Sequence, residues 1–275
     1  MSLISDMIHR AETLLGCAVT QSQRLHGGDL SDVLQLSLSD GRTVVVKSGP
    51  DPQAEAHMLQ AMAATGAPVP AVLACDATLL VLQALPQTGS LHAAWGDLGQ
   101  AVGQLHRAGS PSVAKPYGWD RDYAFGSLPI GNRRADNWPA FWAEQRLAVH
   151  LPHLPTDLGR RLEQLCRDLP RRLPTQPPVA LLHGDLWTGN VLVDGARISG
   201  LIDPACYYGH GEVDLAMLAL FGTPTPEFYA AYGPLEPGWR DRAPIYSLWP
   251  ALVHIRLFGA GYRSMVEGFL TQAGV

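Results

Sequence analysis

Apolar positions in the first part of the chain change from helical to strand-like spacing. Between Ser5 and Leu15 they fall three or four residues apart, which predicts a helix. Mostly apolar runs then predict strands, and the short turn Asp40-Gly41 between two of them favours a hairpin. A second helical pattern covers 52–65. The predicted strands are 19–25, 32–38, 43–47, 68–76 and 78–82.

Helical patterns dominate the rest of the chain. The composition changes from β-rich to helix-rich between Gln83 and Gly89, so we place a domain boundary between 1–83 and 84–275. The segment 110–137 is rich in glycine, proline and aromatic residues and has little periodicity. Loops this long are usually functional or disordered, and the aromatic residues argue against disorder. The predicted helices are 91–106, 138–149, 158–173, 213–221, 238–259 and 262–271.

A polar loop between apolar runs carries the strongest candidate chemistry. The run 179–182 leads into a loop that contains Asp185 and Asn190, and Asp203 follows a later apolar run. Loops presented by scaffold strands often carry catalytic side chains. The H-x-D context and the spacing from Asp to Asn match the catalytic loop of kinases. In that loop the Asp accepts the proton of the attacking hydroxyl, so Asp185 is the predicted catalytic base.

Asn190 and Asp203 are the predicted magnesium ligands. Mg²⁺ takes oxygen ligands, usually one or two protein groups together with nucleotide phosphates. An amide beside a carboxylate supplies two oxygens with only one negative charge, which limits repulsion of a triphosphate. The alternative is a polar turn in which Asp and Asn are only turn formers. The presence of all three residues favours the kinase interpretation, with ATP and Mg²⁺ as cofactors.

Lys47 and Glu55 are the predicted partners of the nucleotide phosphates. Lys47 ends a strand and Glu55 lies in the first turns of the next helix, as in kinases. The alternative is a strand-end Lys that reaches water and an acid favoured near a helix N-terminus. Gly27-Gly28 either lets backbone N–H groups approach a phosphate or forms an ordinary turn. The residues predicted to form the adenine hinge through their backbone groups are Gln83, Ala84 and Leu85.

Composition and charge narrow the possible partners. With 275 residues, of which 47 % are apolar and 16 % charged, the chain can bury a sizeable core. The formal net charge is -5 and there is no Lys/Arg-rich block, so we expect neither nucleic acid nor a membrane surface as a partner. The chain shows no membrane-spanning run, signal-peptide pattern or coiled-coil pattern, and its four cysteines lie far apart. We therefore expect a cytoplasmic monomer with reduced thiols.

Three stretches together resemble the fructosamine/ketosamine-3-kinase family. They are L-H-G-D-L-W-T-G-N at 182–190, I-D-P-A-C-Y-Y-G-H at 202–210 and D-L-A-M at 214–217. Shorter matches within 98–107, 118–122 and 138–146 extend the similarity over nearly the whole chain. The H-G-D-x-x-x-x-N motif alone indicates a kinase-like phosphotransferase, and the D-P-A-C-Y-Y-G-H run narrows it to this family.

This resemblance implies a bilobal, protein-kinase-like α+β fold. The small N-terminal lobe is expected to be an antiparallel β-sheet with one main helix, and the larger C-terminal lobe mostly α-helical. The resemblance also implies ATP-dependent phosphorylation of the 3-hydroxyl of ketosamines, either small-molecule or protein-bound. A phosphate at C3 is a leaving group β to the C2 carbonyl, so the adduct can eliminate and release its amine. Such a reaction is a deglycation repair.

Two positions depart from the family pattern. Relatives often carry another glycine in the turn at 27–29, and an acid is common where Gln83 stands at the hinge. Both departures affect expected nucleotide affinity rather than the type of reaction.

Substrate contacts are predicted among residues that flank the catalytic loop or lie in the long segment. Aromatic rings can stack on a sugar face, and structural packing is the alternative for each of them. The candidates are Asp120, Trp138, Trp187, Tyr207 and His210. Two other functions stay open at this point. One is a kinase of another small hydroxylated compound, such as an aminoglycoside, and the other is a catalytically silent nucleotide-binding module.

Overall fold

Five strands form one antiparallel sheet in the N-terminal lobe. The structure is a computed structural model, and it describes residues 3–25, 32–108, 114 and 116–275. The strands are β1 (Val19–Arg24), β2 (Asp32–Leu38), β3 (Thr43–Ser48), β4 (Val72–Cys75) and β5 (Leu80–Gln83). Their order is β1-β2-β3-β5-β4. The turn between β2 and β3 is the predicted Asp40-Gly41 hairpin, and the turn between β4 and β5 is equally short.

The two faces of this sheet are covered by different helices, α1 (Leu3–Leu15) and α2 (Pro52–Ala64). Along β5, Val81 belongs to the apolar cluster that includes α1, whereas Leu80 and Leu82 belong to the cluster that includes α2. Successive side chains of a strand point to opposite faces, so a strand covered on both faces is apolar throughout. Asp51 caps α2, because its Oδ1 accepts a hydrogen bond from the N–H of Ala54 at 2.9 Å.

The C-terminal lobe is mostly helical, with short two-stranded pairs between the helices. Its helices are α3 (Trp95–Arg107), α4 (Trp138–Trp142), α5 (Thr156–Arg172), α6 (Glu212–Phe221), α7 (Pro226–Tyr232), α8 (Trp239–Phe258) and α9 (Arg263–Gln272). Its strands are β6 (Tyr123–Phe125), β7 (Leu128–Ile130), β8 (Val179–Leu182), β9 (Val191–Asp194), β10 (Arg197–Leu201) and β11 (Tyr207–His210). β6 pairs with β7, β8 with β11, and β9 with β10, all antiparallel.

This arrangement is the predicted bilobal, protein-kinase-like α+β fold, which is therefore confirmed. The connection after β5 runs along the β9–β10 hairpin, where Gly89 N donates to Val193 O at 3.0 Å and Ser199 Oγ donates to Pro86 O at 2.6 Å. Leu85 lies against Gly200, so closely that a Cβ at that glycine would be 2.2 Å from the Leu85 side chain. The hairpin that follows the catalytic loop thus supports the connection between the lobes.

Several elements differ from the sequence-based expectation, each for a local physical reason. β4 begins at Val72 rather than at 68, because Pro68 and Pro70 have no N–H to donate to a sheet. The helix predicted to begin at 91 begins at Trp95 instead, and a single 3-10 turn at 91–93 precedes it. The segment 110–137 contains the β6–β7 hairpin rather than loop alone.

Two further elements were not predicted because they are short. β11 contains a glycine and forms through its pairing with β8, and α7 has seven residues. The predicted helix 138–149 is continuous but changes type, since α4 continues as a π-helical segment at 143–147 and a 3-10 segment at 148–153. In the described part of the chain, no helix is long and apolar enough to cross a membrane.

Candidate active site

The loop between β8 and β9 carries Asp185, and the residues that begin this loop are buried. His183 is fully buried; its Nε2 lies 2.9 Å from Ile202 O, and its Nδ1 accepts a hydrogen bond from Asp185 N at 3.3 Å. An Nδ1 that accepts leaves the proton on Nε2, which donates to the carbonyl, so the ring is neutral. Burial lowers the pKa of His183, which agrees with this tautomer. The imidazole therefore connects the catalytic loop to the strand that ends before Asp203.

Asp214, at the start of α6, fixes the backbone of the same loop. Its Oδ2 accepts from His183 N at 2.7 Å and its Oδ1 from Gly184 N at 3.0 Å, while His106 Nε2 lies 3.0 Å from Oδ2. Burial opposes ionisation, but the hydrogen bonds from His106 and from the loop backbone outweigh it and lower the pKa of Asp214. An ionised carboxylate thus accepts two successive backbone N–H groups, so Asp214 is more than an ordinary helix-start acid.

Gly184 is required by the geometry of this loop. Its φ is 80°, in the left-handed region, and a Cβ there would lie 2.0 Å from Ala205 O. The same neighbour, Ala205, donates its N–H to His183 O at 2.8 Å. The close approach lets the residues after Asp203 pack directly against the loop that carries Asp185.

The Asp185 carboxyl group is half-buried and held by Asn190. Asn190 Nδ2 donates to Asp185 O at 2.9 Å and to Asp185 Oδ2 at 3.0 Å. Burial, together with the negative charges of Asp203 and Asp214, raises the pKa of Asp185 to about 7, although the Asn190 hydrogen bond and Lys47 oppose this shift. A carboxyl group with this pKa can accept and release a proton near neutrality.

Lys47 lies between two carboxylates from different elements. Its Nζ is 2.9 Å from Glu55 Oε2 on α2 and 2.8 Å from Asp203 Oδ1. Burial alone would lower the pKa of Lys47, but the charges of Glu55 and Asp203 raise it above its usual range, so the ammonium group stays charged. The predicted Lys47–Glu55 pair therefore exists in the structure, with Asp203 as a third member.

Asp203 has a left-handed backbone conformation. Its φ is 55°, which makes it the single non-glycine residue with positive φ in the described ranges. This conformation costs a non-glycine residue roughly 1–2 kcal/mol, less for Asp and Asn than for others, and such residues cluster at functional sites. The turn leaves Asp203 Oδ2 free of the hydrogen bond that Lys47 makes to Oδ1.

The oxygens that remain free suit a hard divalent cation. Because Asn190 uses its Nδ2 for Asp185, its Oδ1 has no hydrogen bond among the described residues, and the same is true of Asp203 Oδ2. One amide oxygen and one carboxylate oxygen are ligands of the kind that Mg²⁺ takes. The donor set therefore fits the predicted metal.

A cavity of about 760 Å³ opens beside these residues. Lys47, Asp185, Asn190 and Asp203 all lie on its wall, so the structure brings the predicted base, both metal candidates and the lysine together. Much of the remaining wall is aromatic, from the β6–β7 hairpin, the β8–β9 loop, α6, α8 and the turn after α8. These aromatic residues are Tyr123, Phe125, Trp187, Phe221, His254, Phe258 and Tyr262.

Most of the aromatic wall could not be found from the sequence. Phe221 and His254 have ring centroids 4.9 Å apart, and Tyr262 is equally close to His254. These residues come from α6, α8 and the turn after α8, which are distant in sequence from the catalytic loop. Their only sequence signal was helical spacing, which predicts a buried face rather than a site.

The predicted substrate candidates are separated by the structure. Trp187 lies on the cavity wall and is 40 % exposed. Three candidates are buried in the core of the C-terminal lobe: Trp138, Tyr207 and His210. There, Tyr246 Oη accepts a hydrogen bond from Trp138 Nε1 at 2.9 Å and lies 2.8 Å from His210 Nδ1.

Asp120 lies on the surface, with its carboxylate 2.7 Å from Arg134 Nη2. None of these four candidates is on the described cavity wall; packing or a surface ion pair accounts for each of them.

Of the residues predicted to contact the nucleotide through their backbone groups, those that the structure describes do not lie on the cavity wall. Gly27 and Gly28 lie outside the residues that the structure describes. Gln83 ends β5, and Ala84 and Leu85 follow it in the connection between the lobes, where the hinge was predicted.

Comparison with known proteins identifies relatives across the whole chain. The sequence profile of the fructosamine kinase family matches residues 2–273. A protein assigned as a ketoamine kinase from Synechocystis sp. is 38 % identical over 239 residues, which cover 80 % of this chain and 77 % of that protein.

Solved structures agree with the sequence comparison. A protein assigned as a fructosamine-3-kinase from Thermobifida fusca superposes with a TM-score of 0.88 at 33 % identity, covering 97 % of both chains. The aminoglycoside phosphotransferase APH(4)-Ia, solved with AMP-PNP and hygromycin B, superposes with a TM-score of 0.67 at 18 % identity, covering 98 % of this chain and 94 % of its own. The second similarity supports the kinase-like fold alone.

The Gly184 geometry generates a prediction about stability. The substitution Gly184→Ala adds a Cβ that meets a backbone oxygen at a positive φ, so we expect a loss of about 3 kcal/mol of unfolding free energy. Gly195→Ala is the matched control, because Gly195 also has a positive φ, 58°, but no atom within 4 Å of the added carbon. We expect it to lose only about 1 kcal/mol in urea titrations. Equal losses in the two variants would contradict this account of the loop.

Proposed function

The chain belongs to the fructosamine kinase family, and from that premise we propose that it transfers the γ-phosphoryl group of ATP to the 3-hydroxyl of ketosamines. The observation that carries the proposal is the meeting of Asp185, Asn190, Asp203 and Lys47 at one wall of the cavity. A product phosphorylated at C3 can eliminate phosphate and release its amine. The activity is therefore a repair of glycated amines.

Asp185 is the proposed base. Its Oδ2 is held by Asn190, which leaves Oδ1 to accept the proton of the attacking hydroxyl. The loss of solvation at its half-buried position raises the pKa of the carboxyl group to about 7, which strengthens it as a base relative to an ordinary Asp. His183 and Asp214 contribute by holding the loop backbone, so that the carboxyl group keeps one position during the reaction.

Asn190 and Asp203 are the proposed ligands of Mg²⁺. The bound cation would supply neutralisation of phosphate charge. Lys47, oriented by Glu55, presents an ammonium group for the α- and β-phosphates. We propose that the nucleotide binds between the lobes 1–83 and 84–275. The adenine would contact the backbone of Gln83, Ala84 and Leu85, where β5 ends and the connection between the lobes begins.

The acceptor side of the cavity is the aromatic wall. Trp187 and Phe221 are 40 % and 39 % exposed, and their rings meet edge to face at 6.5 Å. Half-exposed rings beside a base suit a sugar face or an apolar amine substituent. The carboxylates on the described wall are Asp185 and Asp203, both of which have other roles. This charge distribution favours a ketosamine over a polycationic aminoglycoside, for which an acidic pocket is expected.

The proposed setting is the cytoplasm, with a monomer acting on small-molecule or protein-bound ketoamines. All four cysteines are free thiols in the structure. Reduced cysteines are typical of cytoplasmic proteins. The net charge of -5 supports a small-molecule or protein substrate rather than nucleic acid.

The role of Asp185 predicts the effect of an isosteric substitution. Asp185→Asn keeps the side-chain shape but cannot accept the hydroxyl proton, so we expect kcat to fall at least about 100-fold. ADP release should be measured with synthetic fructosamines and ribulosamines, and with an aminoglycoside as the competing class of acceptor. Near-normal turnover by this variant would refute the base role, and turnover of the aminoglycoside alone would refute the proposed substrate class.

The raised pKa of Asp185 predicts a pH dependence. Below about pH 7 the carboxyl group is protonated and cannot act as a base, so kcat/KM should fall by about tenfold per pH unit on the acid side and level off above it. The profile should be measured between about pH 5.5 and about pH 8.5 at constant ionic strength. The residual rate of Asp185→Asn is the control, because it should lack this acid limb. A wild-type profile that stays flat down to about pH 5.5 would contradict the shifted pKa.

The metal proposal predicts a separation of magnesium affinity from stability. Asn190→Ala removes one ligand oxygen, so we expect the Mg²⁺ concentration for half-maximal rate to rise by about tenfold or more. Without metal, the melting temperature should stay within a few degrees of the wild type, because the amide bonds only the neighbouring Asp185. A large loss of thermal stability with unchanged Mg²⁺ dependence would instead assign Asn190 a structural role.

A further inference from the structure

A segment of the C-terminal lobe touches the helix that carries Glu55. This segment, 116–137, lies between α3 and α4 and is called the insert below. It is joined to β11 by two backbone hydrogen bonds, from Gly118 N to Tyr208 O at 2.9 Å and from Tyr208 N to Gly118 O at 3.0 Å. The insert therefore extends the β8–β11 pair by one more antiparallel contact.

The insert is also held from inside the lobe by Arg146. This residue is fully buried, and its guanidinium group donates to Gly131 O at 2.5 Å and to Asn132 Oδ1 at 2.7 Å. Asn132 in turn donates its backbone N–H to Asp122 Oδ1 at 2.7 Å. The insert thus has a fixed position relative to the C-terminal lobe, and a part of it that reaches another element can hold that element in place.

Two side chains of the insert reach the N-terminal part of α2. The Trp119 ring is 5 % exposed and lies between His57 on α2, at 5.6 Å, and Tyr208 on β11, at 5.4 Å between centroids. Arg121 Nη1 lies 3.4 Å from Oδ2 of Asp51, the residue that caps α2. The insert therefore connects α2 with the strand that follows Asp203.

Glu55 lies on α2 between these two points of contact. Asp51 precedes it by four residues, about one helical turn, and His57 follows it by two. On the same helix, Met58 Sδ accepts a hydrogen bond from Cys206 N at 3.3 Å, which adds a contact to the chain just after Asp203. The first half of α2 is thus held from the C-terminal lobe on both sides of the residue that pairs with Lys47.

We infer that Trp119 and Arg121 are positioning residues that hold α2 so that Glu55 orients Lys47. The chain has only the short stretch 204–211, most of it turn and β11, between Asp203 and α6. It therefore has no long loop at that place to move α2, and the insert keeps the helix in the position that forms the ion pair. This inference rests on the proposed kinase function for its consequence, and on the contacts of the insert for its geometry.

The first test is the substitution Trp119→Ala. Without the ring, α2 loses its contact with β11, so Glu55 orients Lys47 less well. We expect KM for ATP to rise about tenfold and kcat to fall about tenfold, while KM for the ketosamine changes less than about twofold. Trp119→Phe, which keeps an aromatic ring, should restore most of the rate.

Arg133→Met is the matched control, because Arg133 lies in the insert and makes an exposed ion pair with Glu144 at 2.9 Å. It should behave as wild type.

A double-mutant cycle separates positioning from a general structural effect. If Trp119 acts through Glu55, then Trp119→Ala should change the rate of a Glu55→Gln variant by less than about twofold. Equal effects of Trp119→Ala with and without Glu55 would overturn the inference. Should Trp119→Ala fail to fold, Arg121→Met, at an exposed contact, carries the same cycle with a smaller expected effect of about threefold, and additivity there would overturn the inference as well.

A readout without an acceptor keeps this inference separate from the proposed function. Backbone hydrogen exchange should become faster in 52–64 of Trp119→Ala and stay unchanged in 245–253, the buried part of α8. Binding of AMP-PNP should weaken about tenfold in the same variant. If exchange and AMP-PNP binding change as expected while no ketosamine is phosphorylated, the proposed function fails and the positioning role stands. If neither changes, the positioning role fails whatever the substrate.

Discussion

A buried ammonium group shared by two carboxylates connects the separate parts of this molecule. Lys47 comes from β3, Glu55 from α2 and Asp203 from the turn that follows β10, and all three meet within 3 Å contacts. Burying charges is costly, and removing one partner of a buried pair costs about 3–5 kcal/mol because a charge is left without compensation. Apolar residues of similar size would often be as stable. The triad is therefore best explained by the geometry it enforces between the two lobes.

That geometry is useful because the catalytic loop opposite it is held with little freedom. Asp214 binds two successive backbone N–H groups of the loop, and His183 connects the loop to Ile202. A carboxyl group in a loop that could move would turn toward water, and its pKa would return to an ordinary value. Asp185 stays half-buried because its backbone is fixed, and the loss of solvation there is the largest cause of its raised pKa. The fixed loop backbone thus keeps the pKa of this carboxyl group raised.

The meeting of Asp185, Asn190, Asp203 and Lys47 could be predicted from the sequence because spacing and residue type both carried information. The sequence spacing from Asp185 to Asn190 restricts where the two side chains can lie in a short loop. A Lys at a strand end before a Glu-bearing helix likewise restricts where the Lys and the Glu can meet. Trp187 apart, the part of the aromatic wall formed by α6 and α8 could not be predicted, since Phe221 and His254 meet only after α6 packs on α8. Trp138 and Tyr207 were predicted as substrate contacts, but their side chains lie in the core. An aromatic ring near a motif has the same identity whether it faces a cavity or the core, and the side of β11 that faces inward depends on pairing with β8.

Arg146 shows that the C-terminal lobe uses a second buried cation in a different way from Lys47. Its guanidinium group lies over the Tyr207 ring at 4.1 Å and over the Phe141 ring at 4.9 Å, and it donates to the backbone of the insert. Burial lowers the pKa of Arg146, yet a guanidinium keeps its charge because its intrinsic pKa is very high. Ring faces and carbonyl oxygens compensate that charge, and the exposed Asp122 carboxylate contributes through its charge without a hydrogen bond to Arg146. A carboxylate this deep would compete for the cation, whereas rings and carbonyls direct it toward the insert, so the cation joins the insert to the lobe.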